Sequence, residues 1–502
     1  MAIRRERFRV LALTLGLLVA LALYGAFLAR NAAYAVGGSD SSGYANTARR
    51  LLSGTLVARP RSLELLGLPD TLLEMVTPLG FIAGPRPGTI TPFYPVGFPA
   101  HLAAAALVGG WEKGPYLVSP IAAMLCLAFL YLLGRELDLS PAWSAGASAA
   151  LAAWPAFLFQ AIQPMCDVVA TLWATAAIFF AVRARRHPAW ALACGAALGL
   201  AVLVRPTSLL LAVPLAFAIP LTRRCLGLLI LGGAPAAAAQ AAFNVTCYGG
   251  LLATGYGNIG LLGAMAVSNF PDRMAYYGRW IFHTFTLIVP LAAVVSAADR
   301  RTPARDRAML LSWFGVFLGF YSFYGPYESF GFLRFLLPGI PALLLTAALG
   351  MRRGLARLPG TRLAPAIAVL ALAVVLVVER RQTRAVGVFG TAEAQAAYPR
   401  SCRWAAATLP ARSVVVATVA SGALEYYTKL PYLRWDPIWP AKWPALRAGV
   451  ESRGWRFYAV LFPEEEKGFA EHVPGAWRKV GAIREVSLWE LPRLEPRISA
   501  RE

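Results

Sequence analysis

Apolar runs of roughly 16 to 22 residues recur along the first three-quarters of the chain, the length at which one helix crosses about 30 Å of hydrocarbon. They fall at 8–29, 114–134, 142–161, 167–183, 189–204, 206–221, 225–243, 280–298, 308–325, 332–350 and 363–380, about 11 predicted spans. From Arg384 onward the runs shorten to "SVVVATVA", "FYAVLF" and "VSLWEL" and alternate with charged, helix-like stretches such as "EEEKGFAEHV". Strands alternating with helices predict a small α/β domain. Its segments carry no nucleotide-binding glycine motif. The expected fold class is therefore mostly α, a polytopic helical membrane protein with a small α/β extracytoplasmic C-terminal domain. The division predicted is 1–383 for the transmembrane module and 384–502 for the outer domain.

Composition agrees with this pattern. Of 502 residues, 58% are hydrophobic and 15% charged, against about a quarter charged in a soluble domain. The net charge of +22 invites a nucleic-acid reading, but the arginines cluster in short loops between apolar runs, as the positive-inside rule requires. No nucleic-acid partner is expected. Six scattered cysteines form no CxxC pair, and four isolated histidines show no metal-ligand spacing.

The basic clusters also set topology. Arg4 to Arg9, Arg135, Arg183 to Arg186, Arg223-Arg224, Arg300 to Arg307 and Arg352 to Arg362 mark cytoplasmic ends. An even number of crossings must separate consecutive clusters, so the run between Arg186 and Arg223 reads as a hairpin turning at Arg205-Pro206. By the same parity, Phe93 to Gly110 reads as a re-entrant or interfacial segment. An odd total leaves the N-terminus in the cytoplasm and the C-terminal domain outside, in a multi-pass protein of the inner (plasma) membrane. The first run reads as a retained helix, although "AAYA" after it resembles a signal-cleavage site. The outer loop 31–113 then holds an amphipathic helix and the re-entrant segment.

Every unusual polar residue near the membrane falls on that outer face. In "GGSDSSGYANTARRLLSGTL" (Gly37 to Leu56), Asp40 precedes Tyr44, Ala48, Leu51, Leu52 and Thr55, which share one helical face able to lie among headgroups. Asp40 reads either as a helix cap, a role Ser39 can also fill, or as a catalytic acid; capping does not exclude catalysis. Asp167 reads either as a helix-start acid or as a second carboxylate, able to bind a divalent ion or orient a hydroxyl. Arg205 and Arg334 read as snorkelling arginines or as a fork for an anionic headgroup; Glu328 accompanies Arg334 in the same outer stretch. Tyr256, with Tyr248, stands in a Gly-rich aromatic loop suited to stacking on a sugar, or in an ordinary interfacial belt.

Six stretches in order, "GGSDSSGYANTARRLLSGTL", "TPFYPVGFP", "QPMCDVVATLW", "GLAVLVRPTSLLL", "NVTCYGGLLATGYG" and "FLRFLLPGIPALLL", resemble bacterial GT-C fold glycosyltransferases. These are integral-membrane relatives of the protein O-mannosyltransferases and of the aminoarabinose transferase of lipid A. The resemblance covers most of residues 1 to 380 and implies a polyprenyl-phosphate-linked monosaccharide donor used outside the cytoplasm. It implies Asp40 as the catalytic acid of the first outer loop and Asp167 as the acid of the second. Inverting displacement would have Asp40 take the acceptor hydroxyl's proton while Arg334 and Arg205 stabilise the departing phosphate. Asp167 would position the acceptor or hold a metal. Tyr44, Tyr256 and Glu328 would contact substrate. No particular cofactor follows from the sequence; a divalent cation (Mg or Mn) is an option. Many protein mannosyltransferases carry adjacent acids here, whereas Ser41 follows Asp40, so glycan, lipid and protein acceptors all stay open. The rival readings are a transporter or flippase of a lipid-linked substrate, and a non-catalytic scaffold that binds partners through its outer domain.

Overall fold

The structure, a computed structural model, describes residues 2–257, 263–325, 329–357 and 363–493. Its chain forms two compact units. One comprises Met1–Ala33, Ala105–Gln240 and Ile259–Ala392; the other comprises Tyr34–Ala104, Ala241–Asn258 and Glu393–Glu502.

The first unit is a helical bundle. Among the described residues of the whole chain, four helices are long and apolar enough to cross a membrane: Gly97–Glu136, Cys166–Ala184, Arg223–Tyr248 and Phe330–Leu355. Two bent pairs raise this to six. The first, Pro141–Ala153 with Pro155–Ala161, bends by 67° at Trp154, whose extended backbone (ψ 126°) is what a following proline imposes. The Trp154 indole donates to Thr284 Oγ1 at 3.1 Å and stacks on Phe285, which fixes the elbow inside the bundle. The second pair, Val267–Phe285 with Ile288–Ala298, bends by 107° at Thr286. Other expected spans fall on shorter or more polar helices, among them Trp190–Val204 and Ala304–Ser322.

Two sequence expectations meet specific breaks. The 187–221 run stops being helical at Arg205 (φ −147°, ψ 105°), immediately before Pro206, where the hairpin turn was predicted. The Phe93–Gly110 segment is helical from Gly97, and the helix is interrupted at Gly110 (φ 70°) before continuing to Glu136. At the arginine-rich helix ends, Arg183 pairs with Glu136, Arg185 with Asp306 and Arg353 with Asp299.

The second unit is built on a five-stranded sheet, in the order β4-β3-β5-β7-β6. Its strands are β3 (Ser413–Val416), β4 (Tyr432–Leu433), β5 (Arg456–Leu461), β6 (Arg478–Ile483) and β7 (Val486–Leu491). β3 is parallel to β4 and β5; β7 is antiparallel to β5 and β6. A two-stranded ribbon, β1 (Phe81–Ala83) with β2 (Ile90–Pro92), lies in the first outer loop. Alternate side chains of a strand face opposite sides. Val414, Val416, Phe457 and Ala459 pack with Leu63, Leu66, Met75 and Val76 of that loop. Val415, Tyr458 and Val460 pack with Ala397, Cys402, Ala423 and Leu424. By packing, then, the first outer loop shares the core of the C-terminal sheet, across the boundary drawn at 383/384 from the sequence.

Candidate functional site

Asp40 opens the helix Asp40–Ser53. The turn before it is closed by its own serines: Ser41 Oγ accepts from Gly37 N at 3.0 Å, and Ser42 Oγ donates to the Gly38 carbonyl. Ser39 occupies the cap position without a side-chain capping bond. The Asp40 carboxylate instead receives the Tyr94 hydroxyl at 2.5 Å, and Tyr94 also meets Ser39 Oγ at 2.9 Å. Burial, and then the Asp40 charge, push the Tyr94 phenol above its ordinary range, so it stays a donor. Tyr44 and Phe98 pack on the same aromatic cluster, and Phe93 joins it to Tyr256 with ring centroids 5.0 Å apart. Tyr248 donates to the Pro92 carbonyl at 2.9 Å.

The Asp40 helix departs from its predicted setting. Ser41 through Ala48 are all buried, so its first two turns pack into protein and do not lie on a headgroup layer by one face. The neighbour that demands this is backbone. A Cβ on Gly43 would strike the Gly80 Cα and the Tyr94 ring. The other neighbour is the short helix Ser421–Tyr427 of the C-terminal sheet domain. Asn46 Nδ2 donates to the Gly422 carbonyl at 2.8 Å, Arg49 to the Tyr426 carbonyl at 2.6 Å, and Arg50 pairs with Glu425 at 3.3 Å. A Cβ on Gly422 would collide with Ser42, two residues from Asp40. The C-terminal domain therefore supplies the floor on which the Asp40 helix rests.

In the other unit, Asp167 stands in the first turn of Cys166–Ala184 and is 1% exposed. Its carboxylate is ion-paired with Arg205, whose guanidinium lies 5.1 Å from the Phe335 ring centroid and 5.6 Å from that of Tyr321. Arg334 is 5.6 Å from the same Phe335 ring. Tyr321 and Phe335 stack at 4.8 Å, and Thr207 Oγ1 meets the Tyr321 hydroxyl at 2.7 Å. The fold thus gathers Asp167, Arg205 and Arg334 around one aromatic pair, and Asp40, Tyr44 and Tyr256 around another. Glu328 lies outside the described residues.

A divalent cation fits neither cluster as described. Asp167 is engaged by an arginine, and among the described residues no group of three or more His, Cys, Asp and Glu side chains converges. Tyr94 is the residue that sequence reasoning passed over. It sits between two prolines in "TPFYPVGFP", a local signal of a fixed turn rather than of a partner 54 positions earlier.

Residues 95–241, under a third of the chain, match the family model described as dolichyl-phosphate-mannose-protein mannosyltransferase. The architecture is that of the GT-C integral-membrane glycosyltransferases, and the chain resembles their protein mannosyltransferase branch. ArnT from Cupriavidus metallidurans bound to undecaprenyl phosphate superposes with a TM-score of 0.60 at 15% identity, over 94% of this chain and 98% of that one. The archaeal oligosaccharyltransferase AglB from Archaeoglobus fulgidus, in complex with an inhibitory peptide and a dolichol-phosphate, gives 0.52 at 14%, over 90% and 69%. The mycobacterial arabinofuranosyltransferase AftD gives 0.54 at 14%, over 96% and 42%. No curated protein sequence matches the chain significantly.

Proposed function

We propose that this protein transfers a monosaccharide from a polyprenyl-phosphate donor to an acceptor hydroxyl on the extracytoplasmic side of the inner membrane. Asp40 serves as general base. The observation that carries the reading is the Tyr94 O–H held 2.5 Å from the Asp40 carboxylate at the start of a helix braced from below. That bond fixes the orientation of the carboxylate. The other oxygen-directed chemistry of Asp40 is proton removal. As the acceptor O–H yields its proton to the carboxylate, the acceptor oxygen bonds to the anomeric carbon. The bond from that carbon to the phosphate oxygen breaks, and its electron pair leaves with the phosphate, inverting the centre.

Phosphate stabilisation falls to Arg205 and Arg334. Guanidinium forks match phosphate oxygens in two-point geometry, and the aromatic faces beside them keep them weakly solvated. Asp167, as the ion partner of Arg205, sets that guanidinium's direction and acts as a positioning residue. Tyr44 and Tyr256 offer ring faces to a sugar. The structures of ArnT with undecaprenyl phosphate and AglB with a dolichol-phosphate support a polyprenyl carrier.

The test is transfer by purified protein in detergent or vesicles, supplied with a panel of radiolabelled polyprenyl-phosphate sugars. Release of sugar from at least one donor, accelerated by an acceptor fraction from the cell envelope, is the expected result. Intact donors across the whole panel, with folded protein and acceptor present, would contradict the reading.

A further inference from the structure

A cavity of about 450 Å³ lies between four helices of the first unit: Pro141–Ala153, Ile288–Ala298, Ile340–Leu355 and Ala364–Ala385. Ligand pockets generally fall between about 300 and 1,000 Å³, but this one lacks their convergent polar groups. Gly146, Ala147, Ala347, Ala368 and Leu372 are typical of its walls. Along one wall it runs from Ala364 to Val375, eleven helical steps or about 17 Å of helix. That is close to half of the roughly 30 Å hydrocarbon core, the depth of a single leaflet.

Among its lining residues Arg352, at one end, is the charged one. Arg352 lines it and donates to the Asp138 carbonyl at 2.5 Å. Around that end stand Arg135, Arg353 and Arg357, with Asp138 and Asp299 as the acids; Asp299 is held by Arg353 and Arg357. Among the described residues named, four arginines stand there against two acids. The slot is separate from the phosphate-handling cluster. Arg334 lies near the start of the helical stretch Phe330–Leu355 and Arg352 near its end, with a 3-10 segment to Gly339 and α-helix beyond, which sets them about 30 Å apart.

We propose that this slot binds one acyl chain of an anionic phospholipid, with the headgroup phosphate against Arg352. A leaflet-deep apolar channel selects a lipid tail, and the surplus of guanidinium at its mouth selects negative headgroups. The bound chain completes the packing among the four helices. This site is independent of the transferase reading.

Native mass spectrometry decides it. The full chain, stripped in a non-ionic detergent, is given phosphatidylglycerol or phosphatidylcholine of identical acyl chains. Wild type should retain one phosphatidylglycerol under activation that removes phosphatidylcholine, and that lipid should raise its melting temperature. Gly146→Leu fills the slot, since a Cβ there already reaches 3.6 Å from Leu372; it should lose the adduct and the thermal shift. Arg352→Gln, at the half-exposed end, should lower phosphatidylglycerol retention to the phosphatidylcholine level, and it decides the matter alone if the Leu variant does not fold. Equal retention of both lipids by wild type overturns the proposal, as does unchanged retention in either folded variant.

Discussion

Asp40 and Asp167 both stand in the first turn of a helix, yet their surroundings differ in kind. Asp40 is half-buried and held by a neutral phenol, Tyr94. Asp167 is almost wholly buried and held by a cation, Arg205. The hydroxyl beside Asp40 brings no charge of its own, whereas the guanidinium beside Asp167 sets a full positive charge against the carboxylate. Position on a helix is therefore no guide to role; the partner decides. In the proposed reaction the contrast fits Asp40 for proton transfer and Arg205, oriented by Asp167, for phosphate recognition.

The contrast can be broken at each partner. Replacement of Asp40 by Asn removes the base and should lower kcat by about 10²- to 10⁴-fold, with melting temperature little changed. Replacement of Asp167 by Ala should do the reverse in kind. It strands a buried arginine, which costs about 3–5 kcal/mol, seen as a large drop in chemical-denaturation midpoint and in donor affinity. A variant that loses turnover without losing stability would assign Asp167 to the chemistry and erase the distinction.

Smaller changes sharpen it. Gly422→Ala forces the short helix off Ser42; overpacking of this kind costs about 1–3 kcal/mol. The expected outcome is reduced kcat with donor binding preserved, because the displaced contact is with the Asp40 helix and not with Arg205 or Arg334. Tyr94→Phe removes one hydrogen bond, worth about 1.5–3 kcal/mol to a charged partner, and should lower kcat by roughly tenfold or more. The Tyr94 pKa is raised in the fold, so the neutral phenol's contribution is complete below the ordinary tyrosine value of about 10. It is lost only as pH rises through the higher folded value. Wild-type and Tyr94→Phe rate profiles should therefore run parallel from neutral to mildly alkaline pH. A wild-type break below pH 9 that the variant lacks would contradict this.

How much of this was legible in the sequence follows the range of the forces involved. The helix after Asp40 and the break at Arg205 are local events, written in small polar residues and in a proline, and they stand where they were expected. The strands over Ser413–Val416, Arg456–Leu461 and Val486–Leu491 lie in the short apolar runs of the tail for the same reason. The Asp167–Arg205 pair, by contrast, spans 38 positions and joins an acid and a headgroup-binding candidate that looked independent. Tyr94 gave no charge or periodicity to mark it. The burial of Leu63, Leu66 and Val76 beside Val414 and Phe457 joins segments more than 300 residues apart. Apolar residues in a loop signal contact without naming the partner, which is why the loop read as a membrane-surface element.

The central claim, Asp40 as base and Arg205 as phosphate ligand, is tested most directly by a binding–turnover split on two variants. Polyprenyl-phosphate affinity and single-turnover sugar transfer are measured for wild type, Asp40→Asn and Arg205→Gln. The account predicts that Asp40→Asn binds the lipid phosphate as wild type does and transfers at least about a hundredfold more slowly, while Arg205→Gln binds it more weakly. Wild-type transfer by Asp40→Asn, in a preparation whose lipid binding is intact, would contradict it.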